Sequence, residues 1–233
     1  MTSPNAARPV RPRDAASLIL LRRGAGGIEA LLGRRGAGAR FMPGRYVFPG
    51  GGIRREDARP FPGETPAANG TAALLGLARA ALRETFEETG YLLGRPLAGL
   101  AARSGAGPPS AVAAAYEAAR LAPAVNELVP IGRAITPTFS PIRFHARFFM
   151  ADGTLAHGPV HPGEELEEVR WYGLGDGLPM PHHLPMPMSG VTQFMLRHAL
   201  AVFAGTAPAA MPLYRHIGRA AKIEWRLPLE SRR

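Results

Sequence analysis

Cysteine is absent from the 233 residues. Disulfides, thiolate metal sites and cysteine nucleophiles are therefore excluded. Lysine is almost absent as well: Lys222 is the only one, and the rest of the positive charge is arginine. Acidic residues are outnumbered, 18 against 28 Lys and Arg, leaving a net charge of +10. Such a surface favours anionic ligands, small phosphorylated molecules and nucleic acids alike. No interleaved aromatic and basic stripe, zinc-ligand spacing or recognition-helix pattern accompanies that charge, so no nucleic-acid partner is expected. Long hydrophobic runs are also missing. Nothing approaches the roughly 18 consecutive apolar residues of a membrane span. The basic start, MTSPNAARPVRPRD, has no hydrophobic signal core behind it, and LESRR at the end is not a serine-lysine-leucine peroxisomal address. The expectation is a cytoplasmic protein with no membrane partner.

What is present suits one well-buried domain, since 46% of the residues are hydrophobic. No internal repeat is visible. SLILLRR (17–23) and IEALLGRR (28–35) read as strands joined by a glycine-rich hairpin connection. Tyr46–Phe48 reads as a short strand entering a glycine loop. TAALLGLARAAL, from Thr71, carries apolar residues at helical spacing and runs on to a stop at Gly90. SAVAAAYEAARLA (110–122) reads as a second helix with a Ser cap. NELVPIGRAI (126–135), IRFHARFFMA (142–151) and EEVRWYG (167–173) read as strands, and VTQFMLRHALAVFA, from Val191, as an amphipathic helix. The middle strand alternates, with Arg143, His145 and Arg147 on one face and Phe144 and Phe148 on the other. Mixed strands with helices on both sides predict an α/β fold, an α/β/α sandwich with a mixed sheet. The boundaries expected are a flexible segment at 1–14, the domain at 15–206 with a helical excursion near 102–124, and an extension packing on it at 207–233.

The most informative stretch is RETFEETG, Arg83 to Gly90. Three carboxylates, Glu84, Glu87 and Glu88, crowd the end of a helix, where the macrodipole is negative and disfavours them. Glu84 and Glu88 are four residues apart and share one face, while Arg83 and Glu87 form a second such pair around the helix. Two carboxylates side by side can hold a hard divalent cation, which Mg²⁺ completes with waters and substrate phosphate oxygens. A solvated charged helix end accounts for the same residues equally well.

The sequence ahead of the helix decides between them. RETFEETGY, together with VFPGGG (Val47–Gly52), resembles the signature of the Nudix hydrolases: Gly, five residues, Glu, seven residues, then Arg-Glu-apolar-x-Glu-Glu-x-Gly-apolar. The second half matches at every fixed position, with Thr85 at the usually apolar one. The first half fits as Gly50, five residues, Glu56. Twenty-six residues (57–82) then separate Glu56 from Arg83, so the signature is split by a Pro- and Gly-rich insertion at about 57–70. Glu64 is an alternative to Glu56 as the early glutamate. FMPGRYVFPGG, the split signature, and Thr136, Pro137, Arg143, Phe144, Phe148 and Phe149 are similar to the Nudix branch that contains the peroxisomal coenzyme A diphosphatases.

That resemblance implies a Nudix-like sandwich and metal-dependent hydrolysis of a diphosphate bond. The substrate implied is a nucleoside diphosphate derivative, coenzyme A or acyl-coenzyme A first. ADP-ribose or NADH is the alternative within the same chemistry, and a non-catalytic ligand-sensing module is the alternative outside it. Glu84 and Glu88 would hold Mg²⁺ or Mn²⁺, with Glu56 (or Glu64) adding a ligand, and Arg83 would brace Glu87. Gly50 and Gly51 would bring backbone close to the substrate. Arg34, Arg40 and Arg143 would meet phosphate oxygens, and Phe139 would stack on a base, although solubility and core packing explain these residues too. Glu164, Glu165, Glu167 and Glu168 read as a solvated face rather than a late general base, and His182 and His183 as a surface loop pair. A homodimer is left open.

Overall fold

A computed structural model describes residues 10–66, 71–97, 110–174, 186–208 and 210–225. His182 and His183 lie outside the described residues. In chain order the strands are β1 (Arg13–Gly24), β2 (Gly27–Arg35), β3 (Tyr46–Val47) and β4 (Gly50–Gly52). Helix α1 (Ala72–Thr89) and β5 (Leu92–Pro96) come next, then α2 (Ala111–Ala119), β6 (Leu121–Pro123) and β7 (Val129–Ile135). The chain continues with β8 (Phe144–Asp152), β9 (Ala156–His157), β10 (Leu166–Gly173) and α3 (Gly190–Phe203), and ends in the β11 (Leu213–Ile217) and β12 (Ala220–Glu224) hairpin.

The main sheet runs β10-β2-β1-β8-β7-β11-β12 and is mixed: β1 lies parallel to β8 and β7 to β11, while the other neighbours are antiparallel. A small sheet, β6-β5-β9, stands apart. At the centre, the run Leu18-Ile19-Leu20-Leu21 is fully buried. A continuous apolar run of this kind belongs to a strand covered on both faces, because successive side chains point to opposite sides. Leu18 and Leu20 pack with Phe149 against Leu77, Ala81 and Leu82 of α1. Ile19 and Leu21 pack with Phe148 and Met150 against Met195, Leu196 and Ala199 of α3. The two helices therefore cover opposite faces, and the fold is the expected Nudix-like α/β/α sandwich. At about 1.5–3 kcal/mol for each large side chain buried, these two layers dominate the stability of the domain.

Helix α1 starts where Thr71 accepts a hydrogen bond from the Leu74 backbone N–H, and it stops at Gly90, which takes the left-handed conformation (φ 78°). Alanines at 78, 80 and 81 let it lie close to the sheet. Six strands go beyond the elements expected from sequence: β4, β5, β6, β9, β11 and β12. Among the described residues no helix is long and apolar enough to cross a membrane.

Candidate active site

The site begins with a split in the sheet. Strands β1 and β2 pair only near their connection, Leu21–Gly24 with Gly27–Ala30. Beyond that they diverge, and the chain from Tyr46 to Gly52 enters the gap. Tyr46 and Val47 pair with β2, while Gly50–Gly52 pair with Ser17, Ala16 and Ala15 of β1. Gly50 and Gly51 are closely approached. A Cβ on Gly50 would lie 2.4 Å from the Ala16 carbonyl oxygen, and one on Gly51 would lie 2.6 Å from the Glu84 carboxylate. The backbone thus meets the carboxylates of α1 directly, and the Gly50 N–H donates to Glu88 Oε2 at 2.8 Å.

Arg83 ties the helix to the glycine loop from beneath. It is 1% exposed and donates to both oxygens of Asp57 (2.9 and 2.9 Å), to Glu84 (2.6 Å), to Glu87 (3.2 Å) and to the Gly52 carbonyl (2.9 Å). Burial opposes its charge, but the bonds to Asp57 and Glu84 outweigh that, so its pKa rises. The closer partner of Glu87 is Arg54, which grips it with two bonds of 2.7 and 2.9 Å. Those bonds raise the Arg54 pKa.

Glu84 and Glu88 are held differently. Both are buried, at 9% and 4% exposure. Burial raises the Glu84 pKa despite its bond to Arg83. Burial pushes Glu88 up to about 8, with Glu84 and Glu165 adding to the rise and the Gly50 N–H opposing it. Glu84 shares Arg83 with Asp57 and Glu87, and Glu88 has no hydrogen-bonded cation among the described residues, so the two together carry excess negative charge; their oxygen donors match a hard divalent cation, which would balance it. Among the described residues no three acidic or histidine side chains gather around one point. The ion that fits is therefore one that keeps waters and takes oxygens from a substrate.

A cavity of about 740 Å³ opens over this surface. Glu84, Glu87, Glu88 and Gly50–Gly52 form one part of it, Arg13, Arg35 and Arg54 supply positive charge, and Phe41, Phe48, Phe144 and Phe148 make an apolar wall. Of the residues singled out in the sequence, the carboxylates of α1 and the glycines come together here. Five others do not. Arg34 is occupied by Glu167 (2.9 Å) and Glu168 (2.8 Å). Arg40 is exposed and Phe139 is 67% exposed, both away from the cavity lining. Arg143 is buried, donating to the Thr136 and Val10 carbonyls. Glu56 is an exposed neighbour of Arg54 and Arg83, at 3.6 and 3.7 Å.

Neither candidate for the early glutamate is the carboxylate that Arg83 clamps. Glu64 is buried against Arg79. Asp57 takes the place because Arg55–Ala58 form a 3₁₀ turn, in which successive residues point roughly 120° apart. That turn sends Asp57 inward and Glu56 outward. Glu164 and Glu165 are exposed, as expected of a solvated face, and they also line the cavity. The loop before β10 is bonded to the end of α1, with the Gly163 N–H on the Glu88 carbonyl (2.9 Å) and the His161 N–H on the Thr89 carbonyl (2.9 Å). Glu165 meets Arg35 at 3.1 Å. Arg54, directly after GGGI, was the most accessible missed signal, because a residue leaving that loop has to pass the helix end.

No protein-family model matches the chain, and none of the curated proteins does. Solved structures do. A Nudix hydrolase from Alicyclobacillus acidocaldarius is 31% identical, the match covers 82% of this chain and 92% of that one, and the TM-score is 0.62. A MutT Nudix hydrolase from Burkholderia pseudomallei is 17% identical, covering 81% and 98%, with a TM-score of 0.48. The Nudix domain of Shewanella oneidensis NrtR, solved with ADP-ribose, is 12% identical, covering 83% and 90%, with a TM-score of 0.48. The first of these matches is close enough, over enough of both chains, to carry the family along with the fold. The chain belongs to the Nudix hydrolases, as an enzyme of their pyrophosphohydrolase type.

Proposed function

We propose that this enzyme hydrolyses the diphosphate of coenzyme A or acyl-coenzyme A, releasing two phosphomonoesters, with Mg²⁺ or Mn²⁺ held by Glu84 and Glu88. The observation that carries the chemistry is the pair of buried carboxylates with excess negative charge facing the Gly50–Gly52 backbone inside a cavity with arginines on its walls. When bound, the cation supplies charge neutralisation of the diphosphate and activation of water.

The chain's own residues do the rest. Arg83 holds Glu84 in place, so that the carboxylate cannot turn away from the glycine loop. Arg54 and Arg83 share Glu87, leaving it as an orienting group for water or substrate. Arg35 and Arg54, paired with Glu165 and Glu87, bring positive charge to phosphate oxygens at the cavity wall. Glu164 and Glu165, fastened to the end of α1 through Gly163, are the bases available to take a proton from the attacking water.

Coenzyme A is favoured over ADP-ribose or NADH by the sequence around Thr136, Phe144 and Phe148, all three of which line the cavity. Its apolar wall suits a substrate with an extended, weakly polar arm on one side of the diphosphate. The test is turnover of coenzyme A, acyl-coenzyme A, ADP-ribose and NADH with either cation, using Glu88→Gln as control. Hydrolysis of the coenzyme A species in preference to the others, abolished in Glu88→Gln, is expected. Faster turnover of ADP-ribose or NADH would replace the substrate while leaving the chemistry. No turnover of any would sink the assignment.

A further inference from the structure

On the α1 face of the sheet, two strands from the carboxylates, lie two arginines and a histidine that the reaction described above does not use. Arg147 on β8 stands directly opposite Arg133 on β7, and His145 is two residues from Arg147 on the same face. Like charges facing each other across a ladder are destabilising, and little here relieves them. The one carboxylate nearby, Asp14, stays 3.7 Å from Arg147 and 3.8 Å from His145, outside hydrogen-bond range, and its side chain is 58% exposed. No side-chain hydrogen bond engages Arg133 among the described residues, and His145 Nε2 is buried with no partner. Burial and the neighbouring guanidinium both depress the His145 pKa. Arg147 donates to the His145 carbonyl (3.2 Å), but one carboxylate against two guanidiniums leaves the patch cationic, a setting that an anion would complete.

The register fixes where that anion would lie. Arg147 pairs with Ala16, and Ala16 with Gly51, whose Cβ would touch the Glu84 carboxylate. Two strand spacings, roughly 10 Å, separate the Arg147 backbone from the glycine loop. Asp14 and Ala16, in between, line the cavity. Arg133, His145 and Arg147 lie outside that lining, beside Asp14 and Ala16 at its edge; an arginine side chain covers part of the distance, so the patch and the diphosphate position can be bridged by a single nucleotide.

We propose that Arg133 and Arg147, with His145, bind a phosphate monoester carried on the ribose of the substrate, apart from the diphosphate that is cleaved. The proposal rests on reading the cavity as a site for a nucleoside diphosphate derivative. It gives that reading a discriminating group: coenzyme A carries such a phosphate on its ribose 3′ oxygen, whereas dephospho-coenzyme A, ADP-ribose and NADH do not.

The test uses binding as well as turnover. Adenosine 3′,5′-bisphosphate and AMP are titrated calorimetrically into the wild type, Arg147→Gln and Arg133→Gln, and coenzyme A is compared with dephospho-coenzyme A as substrate. The bisphosphate is expected to bind the wild type about tenfold or more tighter than AMP, the effect of one charge-assisted contact. Either substitution should remove most of that preference while leaving AMP binding and dephospho-coenzyme A turnover unchanged. Equal affinities, no binding of the bisphosphate, or a preference that survives both substitutions would overturn the proposal. A preference lost as expected, with coenzyme A not hydrolysed, would keep the patch and defeat the substrate assignment. Hydrolysis of coenzyme A with no discrimination against the dephospho form would do the reverse.

Discussion

Replacing Arg83 by methionine removes the group that joins the glycine loop, the 3₁₀ turn and the end of α1. Methionine keeps most of the length and apolar surface of the stem, so the perturbation is chiefly the loss of charge and donors. In the wild type the guanidinium makes five hydrogen bonds of 2.6–3.2 Å to Asp57, Glu84, Glu87 and Gly52. Glu87 retains Arg54, and the Gly52 carbonyl can turn toward water. Asp57, 2% exposed, and Glu84, 9% exposed, lose their compensating charge. Breaking a buried ion pair by removing one partner costs roughly 3–5 kcal/mol, because the survivor is left charged and desolvated. For a domain of this size that corresponds to a drop in Tm of roughly 6–20 °C. The assay is urea or thermal unfolding of the metal-free protein, with Asp57→Leu and the double variant completing a cycle. If the cost is an orphaned Asp57, the double variant will be less destabilised than the sum of the singles, with a coupling of roughly 1–3 kcal/mol. A loss below about 1 kcal/mol, or additive singles, would refute the claim that Arg83 is the electrostatic centre of the site.

The other expectations are narrower. Gly51→Ala places a Cβ 2.6 Å from the Glu84 carboxylate, so Mn²⁺ affinity, measured by calorimetry, should fall about tenfold or more while the protein still folds. Gly163→Ala would put a Cβ 2.5 Å from the Glu87 carbonyl, forcing the 161–165 loop off α1; hydrolysis should fall with little effect on the main sheet, read by activity beside circular dichroism. The pH behaviour of the metal-free protein follows from Glu88, whose carboxyl is pushed up to about 8 by burial from an ordinary 4.5. Between those values the native state holds a proton that the unfolded chain has released, so this group's contribution to stability is full below about 4.5 and is lost as pH rises toward 8. Glu88→Gln should flatten that decline in unfolding free energy measured from pH 5 to 9, and an unchanged slope would contradict the environment assigned to Glu88.

Local chemistry made part of this site legible in the sequence. Glu84 and Glu88 share a face because of helical spacing alone, and Thr71 and Gly90 mark the ends of α1 through capping rules that need no tertiary context. The central strands were visible because Leu18–Leu21 and Phe144–Asp152 are apolar or alternate. Strands β5 (LLGRP) and β6 (LAP) contain Gly or Pro and are held mainly by pairing with each other, while β9 is two residues long, too short to show a period. Arg35 and Glu165 are 130 residues apart and meet only because β10 pairs with β2. Spacing rules could rank Arg34, Arg35 and Arg40 no further, since alternation says that neighbours point to opposite faces without saying which face is the cavity.

The segment between the glycine loop and α1 shows how a long connection can interrupt a site without loosening it. Its two ends carry the precision: Gly50–Gly52 are fixed to β1, and α1 is fixed to the sheet by its alanine-rich face. Lengthening a loop costs little, about 0.6 kcal/mol of closure entropy for each doubling, provided that the ends stay in place. Here they are fastened twice, by Arg83 to Asp57 and by Arg79 to Glu64, each arginine making bidentate contact with a buried carboxylate. Glu64 is therefore a clamp for the connection, and Asp57 a clamp for the site. Removing the first should leave Glu84 and Glu88 where they are, whereas removing the second should not. Arg79→Met and Arg83→Met ought then to destabilise the fold by similar amounts, yet only the Arg83 variant should lose cation affinity. Equal loss of affinity in both would mean that the two clamps form one cooperative unit, and that the connection is part of the catalytic architecture.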